Sequence, residues 1–304
     1  MGIYSVSLAL DTVGVFARSP AVVEKAFRIM ADSPPLLNDP IAQTSFTLLY
    51  PIRAKDAENE DQWFPRPDES STMTPAEACF ETTIQRLETH LCCKRRLFSI
   101  DKLWRQTHPA GLSANLDEAT GWIYTILTTH QCVRDTIDPF IAAFKAKHNS
   151  RAPFIDPIVK ARQEQGRLTT TSENDAAIKS AKLFGTWVNE HLLKPVQDNE
   201  LPLLLFPLTA GRESYRDDPD HGPLFFSTFS TYSLSYLSGC ADCTVPVDEV
   251  KVLSRITDEE VDLPVSLSML TPPGTDLRLL ALLGELEAAG VLSPIKAGNS
   301  MFRK

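Results

Sequence analysis

Two patterns in the sequence have spacings that serine nucleophiles and metal ligands use. Ser99 and Lys102 form an S-x-x-K pattern, in which the lysine can act as base for a nucleophilic serine. Cys240 and Cys243 form a C-x-x-C pattern, which zinc sites and redox disulfides share. The first pattern lacks its companion motifs, and the second lacks another ligand pair. We therefore predict that Ser99 caps a helix that bears a solvated lysine, and that both cysteines are inert core residues.

One loop combines several acidic residues with a histidine: Glu213, Asp217, Asp218, Asp220 and His221. Oxygen-rich ligands of this kind suit a hard metal ion, so metal binding is one interpretation. A solvated acidic loop is the other, and we favour it because runs of charge usually face water. We predict no metal site and no cofactor in this chain.

Glycine is scarce and proline is abundant. The 304 residues include 13 glycines, no two of them adjacent, and 22 prolines. Close backbone approach to a phosphate or an oxyanion usually needs residues without a Cβ, so this composition argues against a glycine-rich cradle. The sequence also contains no G-x-G-x-x-G, P-loop, G-x-S-x-G or H-E-x-x-H motif.

The charge balance is acidic. Thirty Lys and Arg residues against 39 Asp and Glu residues give a net charge of −9, which excludes the basic face that nucleic acid requires. The one dense basic run, residues 94–96, is predicted to be a solvated helix end. Six sparse cysteines, no signal peptide and no membrane-length apolar run predict a cytoplasmic protein without a membrane partner.

Hydrophobic spacing and capping residues predict an α/β fold in a single domain spanning residues 1–304. Residues 1–15 are expected to be extended, and residues 51–73 to form a surface loop. Predicted helices cover residues 20–30, 74–91, 116–147 with an interruption at Pro139, 173–194, and 276–289 with a stop at Gly290. Predicted strands cover residues 201–207, 244–247 and 263–270.

Three segments, in order, resemble the amidase signature family of serine amide hydrolases. Residues 10–19 (LDTVGVFARS) are similar to the family's S-L-D-T-x-G-x-x-A-R-S/T turn and helix, and residues 204–211 (LLFPLTAG) to a strand-to-loop segment near its substrate channel. Residues 238–247 (SGCADCTVPV) and 263–276 (LPVSLSMLTPPGTD) resemble its closing strands and final helix. The helix at 175–193 fits the fungal-type members.

This resemblance implies a partial amidase-signature fold, a mixed β-sheet with flanking helices. It covers nearly the whole chain but matches only the C-terminal portion of the family pattern. The family's Ser–cis-Ser–Lys triad and its Gly/Ser-rich loop stand before the S-L-D-T turn, whereas only nine residues precede Leu10 here. No catalytic residue carries over, so we expect a truncated gene model or an inactive chain.

The resemblance implies an ancestral hydrolase of a small-molecule amide or ester, with a role in fungal secondary metabolism. The alternatives are a non-catalytic binding or scaffold remnant and a pocket protein with a newly acquired role in metabolite tailoring. Phe206, Tyr215 and Phe225 are the predicted ligand contacts. Loss of half a sheet would expose an apolar face and an edge, so we also expect self-association through the exposed sheet face.

Overall fold

The computed structural model describes residues 5–31, 45–53, 63–66, 73–195, 199–217, 225–296, 298 and 300–302. The chain divides into two compact units, each assembled from separated stretches. One unit, which we call the helical unit, comprises Met1–Val13, Trp104–Trp187 and Asp217–Ser238. The other, the sheet unit, comprises Gly14–Leu103, Val188–Arg216 and Gly239–Lys304. The single domain spanning residues 1–304 stays a prediction.

The sheet unit contains a five-stranded mixed sheet. Its strands are β1 (Ser45–Pro51), β2 (Arg96–Phe98), β3 (Glu200–Ala210), β4 (Ala241–Leu253) and β5 (Glu260–Thr271). Their order is β2-β1-β3-β5-β4. Strands β2, β1 and β3 run parallel, and β5 runs antiparallel to both β3 and β4. The predicted α/β class with a mixed sheet and flanking helices is confirmed.

The helices in chain order include three in the sheet unit and a larger set in the helical unit. They are α1 (Pro20–Met30), α2 (Pro75–His90), α3 (Ile100–Thr107), α4 (Leu116–Thr120), α5 (Ile123–Cys132), α6 (Asp138–Lys147), α7 (Pro157–Leu168), α8 (Thr171–Trp187), α9 (Ser233–Tyr236) and α10 (Asp276–Ala288). Two π-helical turns follow α5 and α8, at Val133–Ile137 and Val188–Leu192. The long run predicted at 116–147 is therefore four successive helical pieces, and Pro139 lies in the first turn of α6.

The core of the sheet unit lies between one face of the sheet and helices α2 and α10. Alternate residues of the strands, such as Leu205 and Leu267, contact α10 residues such as Leu283 and Leu286 in a cluster that excludes water. Residues of opposite parity, such as Leu204, point to the other face and are also buried. A sheet buried on both faces explains the continuous apolar run that predicted β3.

The helical unit is organised around α5, which packs against α7 and α8. Its apolar centre includes Ile123, Leu127 and Ala177. An aromatic cluster adds to it, with the Trp104 and Trp187 rings meeting edge to face at 4.8 Å between centroids.

Local capping signals placed several helix ends correctly. Thr74 and Glu77 form the predicted capping box at the start of α2. Gly290 follows α10 with φ of +70°, as a helix-stopping glycine should. Ser99 precedes α3, its Oγ accepts the Lys102 backbone N–H at 3.3 Å, and the lysine is exposed. The helix-cap prediction for the S-x-x-K pattern is confirmed.

Two regional predictions were wrong within the described residues; residues 1–4, 54–62 and 67–72 of these two regions lie outside them. The opening segment is turned rather than extended, since Leu10 and Asp11 both donate backbone N–H groups to Ser7 O. Within the predicted surface loop, Trp63 and Phe64 are buried, and Phe64 stacks on Tyr50 at 4.1 Å between ring centroids. Helices α7 and α9 and strands β1 and β2 were not predicted.

The basic run at 94–96 is not simply a solvated helix end. Helix α2 ends at His90, and the Arg95 side chain folds back to pair with Glu81 and Glu88, at 2.5 and 3.1 Å. Its guanidinium also lies 5.0 Å from the Tyr50 ring centroid. The prediction was wrong for Arg95 because two carboxylates on one helix face, seven and 14 residues before it, offer it a shielded site.

Candidate functional site

Phe206, the first predicted ligand contact, lies in the middle of β3 and is fully buried. The sheet register places it beside Ser268 of β5, and Ser268 in turn beside Thr244 of β4. The three residues therefore form a row across β3, β5 and β4, on the face that points away from α2 and α10. We call this row the Phe206 row; Phe206 is its one predicted site residue.

Asp242 extends the Phe206 row on the edge strand. The fully buried Ser268 Oγ donates a short hydrogen bond to Oδ1 of Asp242, whose side chain is exposed. A carboxylate is far too weak a base to deprotonate a serine hydroxyl, so this pair is not an activated nucleophile. The exposed carboxylate of Asp242 can instead accept a hydrogen bond from a ligand N–H group, whereas the buried Ser268 hydroxyl positions that carboxylate.

Sequence reasoning did not single out Ser268 or Asp242. A signal was present, because Ser266 and Ser268 alternate with apolar residues in a predicted strand, and period-two alternation places both hydroxyls on one face. The partner could not be predicted, because Asp242 is 26 residues away and reaches Ser268 only through the β4–β5 register.

Tyr215, the second predicted contact, packs against the tip of the β4–β5 hairpin. Its Oη accepts the Arg255 backbone N–H at 3.0 Å, and the Arg255 guanidinium lies 4.2 Å from the ring centroid. Both residues belong to the sheet unit. The tyrosine therefore braces a long hairpin, and its role as a ligand contact stays a prediction.

Phe225, the third predicted contact, belongs to the helical unit and is half-buried. The next residue, Phe226, accepts the Thr125 hydroxyl through its carbonyl at 2.8 Å and meets Tyr124 edge to face. The structure therefore assigns Phe225 to a different unit from Phe206 and Tyr215, and its ligand contact also stays a prediction.

The acidic loop lies only partly within the described residues. Glu213 and Asp217 are exposed, whereas Asp218, Asp220 and His221 fall outside the part that the structure describes. Within residues that are described, no three His, Cys, Asp or Glu side chains are grouped closely enough to hold a metal ion.

The two cysteines of the C-x-x-C pattern lie in different environments. Cys243 packs against the core, and burial, with help from the Asp242 and Asp276 charges, raises the pKa of its thiol to about 12. Cys240 lies just before β4 and its Sγ is 3.7 Å from the Asn189 side-chain oxygen. A thiol held protonated is a poor nucleophile and metal ligand, which agrees with the inert-core interpretation for Cys243.

The segment that resembles the S-L-D-T turn is fixed by polar contacts. Hydrogen bonds from Ser5 Oγ and from the backbone N–H groups of Ser7 and Val6 lower the pKa of Asp11. Ser7 continues the network into the helices, because its Oγ donates to Gln131 at 2.7 Å. The motif aspartate therefore shapes a turn and anchors it to α5.

Comparisons with known proteins were made on sequence and on structure. No protein-family model matches the sequence. A Kluyveromyces lactis allophanate hydrolase has a TM-score of 0.60 and 17% identity, with 94% of this chain and 41% of that chain covered. An amidase crystal structure has a TM-score of 0.55 and 16% identity, covering 91% of this chain and 52% of the other.

A third structure, a 6-aminohexanoate cyclic dimer hydrolase with bound substrate, has a TM-score of 0.52 and 13% identity. It is matched over 91% of this chain and 54% of its own. The described chain thus has the fold of the amidase-type hydrolases, which confirms at the level of fold the resemblance predicted from the sequence. The chain spans about half the length of these solved structures.

No helix among the described residues is long and apolar enough to cross a membrane.

Proposed function

We propose that this chain is the C-terminal half of an amidase-signature fold, descended from a serine hydrolase that cleaved a small-molecule amide or ester. The observation that carries the proposal is the fold match: more than nine-tenths of this chain aligns with about half of an amidase and of a cyclic dimer hydrolase. The order of the three sequence segments supports the C-terminal assignment.

We also propose that the 304-residue chain does not hydrolyse amides by itself. By resemblance, the family's nucleophile, bridging serine and lysine have no counterparts here, and the sequence has no adjacent glycines to form the oxyanion loop. Triad members act as a unit, so their loss removes nearly all of the rate enhancement.

The purified chain tests this with a fluorophosphonate probe and a panel of aryl amides and esters, beside an active serine amidase as positive control. We expect neither covalent labelling nor turnover above the buffer rate. A labelled serine mapped by mass spectrometry would show that this chain holds a nucleophile and would overturn the proposal of inactivity.

The truncation part of the proposal has a separate test. The genomic sequence immediately upstream of the coding region is expected to contain an in-frame Gly/Ser-rich segment that carries the missing serines. A promoter and intergenic sequence in that place would contradict a truncated gene model and leave an inactive remnant as the proposed form.

Ligand binding without catalysis is the second candidate function, and the Phe206 row favours it. The exposed carboxylate of Asp242, which buried Ser268 holds in place, offers a hydrogen-bond acceptor at the open end of this row, which suits the N–H group of an amide. We expect small aryl amides to raise the melting temperature of the wild-type chain and not that of Ser268→Ala. Thr82→Ala, on the exposed side of α2, is the matched control and should respond like the wild type. An equal response from all three proteins would contradict binding at the row.

The most specific part of the proposal concerns the cellular setting. The protein would act in the cytoplasm, in fungal secondary metabolism, where it would tailor a small molecule. None of the six cysteines forms a disulfide, which suits a reducing compartment. Deleting the gene in its host and comparing the secreted small molecules tests the metabolic role. An unchanged profile under conditions in which the gene is transcribed would contradict it.

A further inference from the structure

Strand β4 is the long edge of the sheet. It has 13 residues and pairs only with β5 among the described strands, whereas the opposite edge, β2, has three residues. An exposed edge presents unpaired backbone groups to any strand that approaches, so folded proteins usually protect long edges. The two halves of β4 differ in this protection.

The second half of β4 is guarded. A bulge separates Pro246 from Asp248, and the residues after it include Asp248, Glu249 and Lys251. The carboxylate of Glu249 also binds residues 300–302. It accepts hydrogen bonds from Ser300 Oγ at 2.7 Å and from the backbone N–H groups of Met301 and Phe302.

The face of β4 that Glu249 occupies follows from its neighbours in the strand. Leu292 lies in the core on the α2 and α10 face of the sheet. Asp248 contacts Cys79 of α2, and Val250 packs against the same core, so Glu249 between them points to the other face. The described residues Ser300, Met301 and Phe302, which bond Glu249, therefore lie against the other face of the second half of β4.

The first half of β4, residues 241–246, lies before the bulge and outside the contacts of Glu249. It carries a single charged side chain, Asp242, and two side chains of this half, Asp242 and Thr244, are exposed. Proline has no N–H, so Pro246 is tolerated in a paired strand with its nitrogen toward the open side. Thr244, two residues earlier, then also directs its N–H and carbonyl to the open side.

We propose that two copies of this chain pair through this half-strand, antiparallel about a two-fold axis at Thr244. The two Thr244 residues would exchange two backbone hydrogen bonds, joining two five-stranded sheets into one. This goes beyond the proposed function and places the expected self-association at a strand edge rather than on a sheet face.

Side-chain complementarity selects a second copy as the occupant. In this register Thr244 faces Thr244 of the partner subunit, a favourable cross-strand pair. Cys243 faces Val245 of the partner subunit, apolar against apolar, and Asp242 faces Pro246 of the partner subunit, so no like charges stand opposite. The pairing buries less than a standard interface, and we expect a micromolar dimer.

Sedimentation velocity of the 304-residue chain at roughly 5 to 200 µM tests the proposal, because this range brackets a micromolar dissociation constant. We expect a concentration-dependent dimer. Thr244→Pro removes both central donors without touching the β4–β5 ladder, and it should weaken the dimer at least about tenfold. Thr244→Val keeps the N–H and should leave the dimer intact; circular dichroism checks that all three proteins are folded.

Disulfide trapping tests the register independently. Thr244→Cys places two Cα atoms about 5.5 Å apart, within disulfide reach, whereas Asp242→Cys places them about 14 Å apart. Under mild oxidation the first variant should form a covalent dimer and the second should behave like the wild type.

Two results would overturn the proposal. A wild-type monomer throughout the concentration range would leave this edge to a different polypeptide. A dimer that Thr244→Pro does not weaken and Thr244→Cys does not trap would place the interface elsewhere.

Discussion

At the scale of single residues, glycine is used here where two pieces of backbone touch. A Cβ on Gly185 of α8 would overlap the Leu237 carbonyl oxygen, and one on Gly166 of α7 would lie 2.5 Å from Thr129 O. Real Cβ contacts are never this short, so each helix can approach its neighbour only through glycine. The few glycines of the chain include close-packing residues in the helical unit.

Gly185→Ala should lower the free energy of unfolding by at least about 2 kcal/mol, because the new methyl group meets rigid backbone. Gly284→Ala is the matched control, since Gly284 lies in α10 with open space around its Cβ position. There alanine should stabilise by about 0.5 to 1 kcal/mol through helix propensity. Urea denaturation measures both; two equal changes would contradict the backbone contact.

Glu249 makes a pH-dependent contribution at the same scale. Partial burial alone would raise its pKa, but the hydrogen bonds from Ser300, Met301 and Phe302 outweigh burial and hold the pKa below the usual 4.5. A carboxyl with a lowered pKa in the folded state stabilises fully above its unfolded pKa, and this contribution is lost as pH falls through the folded value.

Glu249→Gln should therefore cost about 1 kcal/mol at pH 7, and the difference from the wild type should shrink as pH falls below 4.5. Glu260→Gln removes a carboxylate from the same hairpin whose ion pair with Lys251 is 64% exposed on each side chain. It should change stability by less than about 0.5 kcal/mol. Urea melts across the pH range decide; a Glu249→Gln effect that persists at acid pH would contradict a role for the carboxylate.

At the scale of elements, helices α1 and α2 begin with similar sequences but differ in their capping geometry. Both α1 and α2 begin with a hydroxyl residue followed by proline, but only Thr74 accepts a backbone N–H, from Glu77. Ser19 makes no side-chain cap bond.

Thr74→Ala should thus destabilise the protein by about 1 kcal/mol, and Ser19→Ala by less than about 0.5 kcal/mol. Thermal or urea unfolding of the two variants provides the comparison. Equal losses would mean that the α2 capping box contributes nothing beyond the helix-starting proline.

Prolines within strands show where element prediction from sequence stops. The predicted strand at 201–207 ended at Pro207, whereas β3 continues to Ala210 because the register shifts between Pro207 and Thr209. A similar shift follows Pro246 in β4. A bulge absorbs a residue without an N–H, but whether a neighbouring strand accommodates that bulge is decided by pairing, which local sequence does not contain.

Helix α7 was not predicted because its position, too, depends on contacts that local sequence does not contain. It buries only Gln163 and Gly166, so it has no apolar periodicity to detect. Its position depends on the Gly166 backbone lying against α5 and on Arg162 and Arg167, which bond Thr128 and Asp138.

At the scale of the whole molecule, net charge opposes the proposed dimer. Each chain carries −9, so two copies repel one another through water. Salt screens this repulsion, since the Debye length falls from about 30 Å at 0.01 M to about 10 Å at 0.1 M.

The dimer should therefore tighten as sodium chloride rises from about 0.02 to 0.3 M, opposite to an interface held by ion pairs. Sedimentation velocity at a fixed protein concentration measures the change, and Thr244→Pro serves as the baseline. A dimer that dissociates with added salt would show that attractive charge contacts hold the subunits together, in conflict with edge pairing.

By itself, the sequence determined the α/β class, the helix starts at Thr74 and Pro20, the stop at Gly290 and the order of the amidase-like segments, because each depends on residues close together in the chain. Tertiary structure alone decided that Phe206, Ser268 and Thr244 share one row and that Arg95 turns inward to two glutamates. It also decided that residues 300–302 donate hydrogen bonds to Glu249. Strand register and long-range pairing bring these groups together across tens of residues, and only the folded chain satisfies their charges and hydrogen bonds at once.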